Sequence, residues 1–221
     1  MRRLEPSPVA LGARWARSVP LTLAFCSLLA FVYGVELLVL RVAGVRALSY
    51  WFVATAEPSP GWVLAALAHT PGRPSHLLSS AALLLAFGGM TERRLPGRAY
   101  LTFLSVAGLG GTAGQVLWYA AAPSPVPVRG TLGASAVGLA ATTFAAAASA
   151  RTRLATGEWT GETTWVWALL GAFVAGRRLV LDLVVGVAGV GRFGHLWGIL
   201  FGVAYALWHR VGERESSRRD R

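Results

Sequence analysis

Long apolar runs separated by short polar segments dominate this chain. A run of about 20 apolar residues is long enough to cross the hydrocarbon core of a bilayer as a helix. Six such runs lie near residues 19–40, 74–90, 99–120, 131–149, 164–187 and 193–208. The segment 41–73 is apolar but broken, with Trp51, Phe52 and Trp62 beside Pro58, Pro60 and Gly61. It is expected at the membrane interface, the depth that Trp and Tyr favour. A short helix over 61–69 would leave the count unchanged unless it spans. The pattern predicts an all-α membrane protein with a cytoplasmic segment over 1–18, a six-helix membrane domain over 19–208 and a basic cytoplasmic tail over 209–221.

Composition agrees. The chain is 54% hydrophobic and 14% charged, whereas soluble domains carry about 25% charged residues. The net charge of +11 could suggest nucleic acid, but the basic residues, all 21 of them Arg, sit in short clusters between apolar runs. That arrangement suits topology signals, so a lipid bilayer and not nucleic acid is the expected partner. With the N-terminus inside, 14 of the 21 arginines fall on inner segments, among them Arg93, Arg94, Arg98, Arg151, Arg153 and those of the tail. The positive-inside rule then puts both termini in the cytoplasm, most simply of a plasma-membrane protein. The first run is too long for the core of a cleaved signal peptide and is read as a retained span. Cys26 is the lone cysteine, which excludes an internal disulfide.

Topology brings three chemically capable residues to one depth. Spans two, four and six run in the same direction, from outside to inside, and His76, Ser135 and His195 lie near their outer ends. Ser135 sits among small residues in Gly133-Ala134-Ser135-Ala136. Small neighbours, Gly133 among them, let helices approach closely in lipid, and a serine there can simply bond back to its own helix. It becomes a nucleophile only with a base. His195 is the candidate, in 194-GHLWGILFG-202, where Gly194, Gly198 and Gly202 form a stripe suited to tight helix packing. An ionisable side chain within a membrane is a functional candidate by default. His76 and Ser80, four residues apart, share one helix face and can aim two donors at one point.

Together these motifs resemble the rhomboid intramembrane serine proteases. The likeness runs from about Arg73 to Leu207. It rests on Gly133-Ala134-Ser135-Ala136 for the family's G-x-S-G, on 194-GHLWGILFG-202, on His76-Leu77-Leu78-Ser79-Ser80 for H-x-x-x-N, and on the F-G-x-x-x-E-R ending from Phe87 to Arg93. The resemblance implies a six-transmembrane-helix bundle that hydrolyses transmembrane segments of other proteins. Ser135 would be the nucleophile and His195 its base, in a dyad without a third acidic member. His76, Ser80 and the Ser135 backbone N–H would form the oxyanion hole.

The chain departs from the family pattern at two places. Ser80 stands for the usual Asn, and no Asn exists anywhere in the chain; Ala136 stands for the glycine after the nucleophile. The first loop lacks a Trp-Arg pair; Tyr50-Trp51 is the nearest analogue. Ser80 keeps a second reading open, that of an inactive rhomboid-like protein which binds transmembrane helices. A transporter is a third, raised only by Arg177, Arg178 and Asp182. Arg178 and Asp182, four apart, are expected to pair. Glu36 is expected at the interface, and Arg151, Arg153 and 157-GEWTGE-162 in a cytoplasmic loop. The four histidines and one cysteine are scattered, against the spacing zinc needs, so no metal is expected, and no cofactor is implied.

Overall fold

The computed structural model describes residues 8–121, 130–156, 162–185 and 191–209. The expected termini at 1–7 and 210–221 and most of 157–162 lie outside the described residues. Among those described, regular structure is helical apart from an isolated antiparallel bridge between Ala54 and Thr131.

Helix α1 (Pro8–Ser18) precedes α2 (Pro20–Phe52). The short α3 (Gly61–Leu64) follows. The second apolar run forms α4 (Pro74–Leu83), a π-helical turn (Leu84–Gly88) and α5 (Gly89–Arg94). Then come α6 (Gly97–Ala121), α7 (Ser135–Thr156), α8 (Glu162–Val180) with a π-helical turn (Leu181–Val185), and α9 (Arg192–Trp208). Proline opens α2 and α4, where its missing N–H costs nothing and its φ already suits a helix.

Two of these helices, α2 and α6, are by length and hydropathy able to cross a membrane on their own. Large apolar side chains also face outward: Leu101, Leu109 and Leu117 on α6, Leu169 and Phe173 on α8, Leu200 and Leu207 on α9. Water would penalise such faces, whereas hydrocarbon does not.

The bundle is built around α7. Ala136, Val137, Ala140, Ala141, Phe144, Ala145 and Ala148 are all buried, so this helix is covered on several sides, most extensively by α9 and then α8. Small side chains make that possible. A methyl group on Gly198 would overlap the Ala136 carbonyl oxygen, and one on Gly202 would overlap that of Ala140 and the Thr143 hydroxyl. Backbone meets backbone along this seam, and Thr143 Oγ1 reaches across it to the Ile199 carbonyl at 3.1 Å. Gly194 lies instead against Gly111 of α6. At the other end of the seam, Phe103, Phe144, Phe201 and Tyr205 form an aromatic cluster.

Four details refine or correct the sequence reading. Helix α2 is two helical pieces that meet at a non-helical Gly44, close to the expected end of the first run, and the second piece continues to Phe52; the Gly44 φ of 78° is one only glycine adopts easily. Glu36 is buried within the protein, where both its carboxylate oxygens accept the His69 N–H at 3.0 Å. Arg151 and Arg153 belong to α7 and not to a loop; Arg151 donates to the Ala206 and Leu207 carbonyls, which lack intrahelical partners at the end of α9. Gly133 lies ahead of α7, outside any helix, with φ of 126°, so it does not serve as a helix-packing residue.

Candidate active site

Helix α7 begins at Ser135, and its start is set by the loop before it. Thr131 pairs with Ala54 in the isolated bridge, and the Gly133 N–H donates to the Ala65 carbonyl at 2.7 Å. The 41–73 segment is therefore packed onto the approach to Ser135, with Ala65, Ala68 and His69 fully buried. Gly133 can be nothing larger. A Cβ there would sit 2.9 Å from His76 Cε1 and 3.7 Å from Ser135 Oγ, so the imidazole and the hydroxyl converge on the space that Gly133 leaves.

Helix α9 brings His195. The first-turn N–H groups of Phe193 and Gly194 donate to Gln115 Oε1 on α6, at 2.8 and 3.3 Å. Gln115 is buried and takes the place of a capping residue. Held this way, with Gly194 against Gly111 and Gly198 against Ala136, His195 puts Nε2 2.8 Å from Ser135 Oγ. Gly111 also answers the Ala136 departure: its own Cβ would meet the Ala136 methyl at 2.6 Å, so α6 accommodates the extra carbon.

These groups line one cavity of about 550 Å³, which Ser135, His195, His76, Ser80, Gly133, Gly194 and Arg178 share with Thr70, Arg73 and Thr112. That is a ligand-sized space. Ser80 is at the wall, but its hydroxyl donates to the His76 carbonyl at 3.1 Å, one turn back on its own helix. Its only proton is thus engaged, and Ser80 does not point a donor at the Ser135 side as expected. His76 Nδ1 lies 3.4 Å from Thr70 Oγ1, and its ring meets that of His69 edge to face.

The sequence from residue 60 to residue 210 matches the family model of the Rhomboid domain. The chain belongs to the rhomboid family. Rhomboids are membrane-embedded, and the family generally comprises intramembrane serine proteases that act on transmembrane substrates. The helical architecture and the two apolar helices fit an α-helical membrane protein of that kind. Among curated proteins, no relative matches the chain.

Three residues carry more of this rhomboid's site than their sequence positions suggested. Asp182, expected to pair with Arg178 and weighed as a third catalytic member, meets Arg178 at 2.7 Å and also places Oδ2 2.7 Å from His195 Nδ1. Gln115 and Glu36 each hold a backbone that carries a site histidine or its neighbour. Their common signal was visible: a polar side chain inside an apolar run must find a partner. Which partner it finds depends on the rotation of the helix that carries it.

Proposed function

We propose that this rhomboid is an intramembrane serine protease that cuts transmembrane segments of other proteins in the outer half of the membrane. The observation that carries the reading is the 2.8 Å contact between Ser135 Oγ and His195 Nε2 at the wall of a cavity. A serine hydroxyl gains nucleophilicity when an adjacent base takes its proton. Here Ser135 Oγ attacks the scissile carbonyl while His195 Nε2 accepts the proton. The same proton then passes to the leaving amine, and water repeats the sequence on the acyl-enzyme.

The negative charge on the carbonyl oxygen develops near the start of α7. The first-turn N–H groups of a helix have no intrahelical acceptors and carry its positive dipole end, so the Ser135 N–H is a donor suited to that charge. The His76 ring beside Gly133 supplies a second. The substrate helix has to unwind locally, since a helix holds its own carbonyls in hydrogen bonds.

In this reading six spans cross the plasma membrane: most of α2, the α4–α5 run, α6, α7, α8 and α9. Both termini are cytoplasmic. His76, Ser135 and His195 then share the outer half at the N-terminal ends of α4, α7 and α9, where water can enter. The chemistry calls for no metal and no cofactor.

The engagement of the Ser80 hydroxyl favours a second reading, a rhomboid that binds transmembrane helices without cutting them. Labelling with a fluorophosphonate serine probe separates the two. The protease reading expects the wild-type protein to label and both Ser135→Ala and His195→Ala to lose labelling. A folded wild-type protein that does not label leaves the helix-binding reading.

A further inference from the structure

The geometry points to Asp182, seated by Arg178, as a positioning residue that sets the tautomer of His195, making a three-residue relay of Ser135, His195 and Asp182. This inference rests on the proposed protease reading for its chemical meaning. It goes beyond the two-residue arrangement that the family resemblance implies.

His195 Nδ1 has two polar neighbours. Asp182 Oδ2 lies at 2.7 Å and Arg178 Nε at 3.1 Å. They demand opposite tautomers. A carboxylate accepts, so it needs a proton on Nδ1; a guanidinium donates, so it needs Nδ1 bare. Both cannot hold at once. The carboxylate is the nearer, and Arg178 Nε has a second acceptor in Asp182 Oδ2 itself, at 3.0 Å. Arg178 Nη2 meanwhile holds Asp182 Oδ1 at 2.7 Å. The Arg178 Nε–H thus has its acceptor in the carboxylate and does not need Nδ1, so Nδ1–H donates to Oδ2.

The consequence appears at the other nitrogen. With the proton on Nδ1, Nε2 is bare and accepts from Ser135 Oγ–H at 2.8 Å. That is the tautomer a general base requires. With Nδ1 bare, Nε2 would carry the proton and face the serine as a donor, unable to take its hydrogen. When His195 does take the serine proton, the imidazolium that forms lies against a carboxylate at 2.7 Å in a shielded place: the Asp182 side chain is 3% exposed and that of His195 9%. Arg178 is the counterion that lets the carboxylate remain charged there before the reaction.

Local structure explains the reach. Asp182 lies in the π-helical turn that closes α8. Such turns hold an extra residue per turn and recur at functional sites. Arg178, one turn earlier on regular α-helix, still meets Asp182, while Asp182 is directed to α9.

The test uses the full chain in detergent with ¹⁵N-labelled histidine, assigning His195 by the signal lost in His195→Gln. At neutral pH the wild-type protein is expected to show Nδ1 protonated and Nε2 bare; the reverse would overturn the proposal without any variant of Asp182. In Asp182→Asn the amide N–H is expected to donate to Nδ1 and shift the proton to Nε2. Fluorophosphonate labelling is expected to slow by about 10⁴-fold, the scale seen when a serine hydrolase loses its orienting aspartate. Asp182→Ala should regain labelling when formate is added, which a merely structural loss would not. An unchanged tautomer and labelling within about 3-fold of wild type in Asp182→Asn would overturn the relay and leave the protease reading intact. If the wild type does not label at all, the protease reading fails, and the tautomer measurement still decides whether Asp182 orients His195.

Discussion

At the scale of single residues, the site is made of side chains whose roles are set by what they touch. His76 and Ser80 illustrate it. Both were candidates for holding the oxyanion, yet only His76 converges on the Ser135 hydroxyl, while Ser80 donates to its own helix. His76→Ala is therefore expected to lower turnover of a transmembrane reporter by about 100–1,000-fold, the usual cost of one oxyanion donor. Ser80→Ala is expected to stay within about 3-fold. A large loss in Ser80→Ala would show that the hydroxyl rotates toward substrate during the reaction. Ala136 is a second case. Its methyl replaces the hydrogen of the family's usual glycine, and Gly111 on the facing helix leaves the room. The departure is answered in space by a residue 25 positions earlier (136 minus 111).

At the scale of helices, stability resides in seams and caps. The α7–α9 seam allows no added carbon at Gly202, so Gly202→Ala is expected to lower stability by about 1–3 kcal/mol through overpacking. Gly176→Ala on α8 is the control: nothing lies within 4 Å of its Cβ position, and removing a helical glycine is expected to be neutral or to stabilise by about 0.5–1 kcal/mol. Thermal unfolding in one detergent compares them. The start of α2 depends on Glu92, which accepts from the Leu21 and Thr22 N–H groups at 2.9 and 2.8 Å and from the Thr22 hydroxyl at 2.7 Å. Glu92→Ala leaves those donors without their acceptor and is expected to cost about 1–3 kcal/mol in the same assay.

At the scale of the whole molecule, the 41–73 segment and the bundle act together. His69, in that segment, is fully buried against His76. Burial first, and the neighbouring His76 ring next, push its imidazole from the usual 6.5 down to about 4. The unfolded chain therefore binds this proton more readily than the folded one. Stability from neutral His69 is complete above pH 6.5 and is lost as the pH falls from there through about 4. The unfolding temperature is expected to drop over that window, and less so in His69→Gln. An equal drop in both would assign the acid sensitivity elsewhere. Orientation belongs to this scale too. A phosphatase reporter, active only outside the cytoplasm, is expected to be inactive when fused after residue 221 and active when inserted at 122–129. The opposite result would invert the membrane orientation that the arginines imply.

The sequence by itself determined the helical character, the approximate runs and the small-residue stripe, and it singled out Ser135, His195 and His76 as candidates, because each of these is carried by local composition or by a motif of fixed spacing. A stripe such as Gly194, Gly198 and Gly202 can be read from periodicity alone. What faces the stripe cannot: Gly194 meets α6, while Gly198 and Gly202 meet α7. Only the tertiary structure decided that Asp182 reaches His195, that Glu36 holds the His69 backbone and that the Ser80 hydroxyl is turned away. Each depends on how far one helix is rotated about its axis relative to another. The π-helical turn at Leu181–Val185 alters that rotation, and the change of direction at Gly44 redirects the chain. A regular 3.6-residue period contains neither, so a reading based on it finds the residues and misses some of their partners.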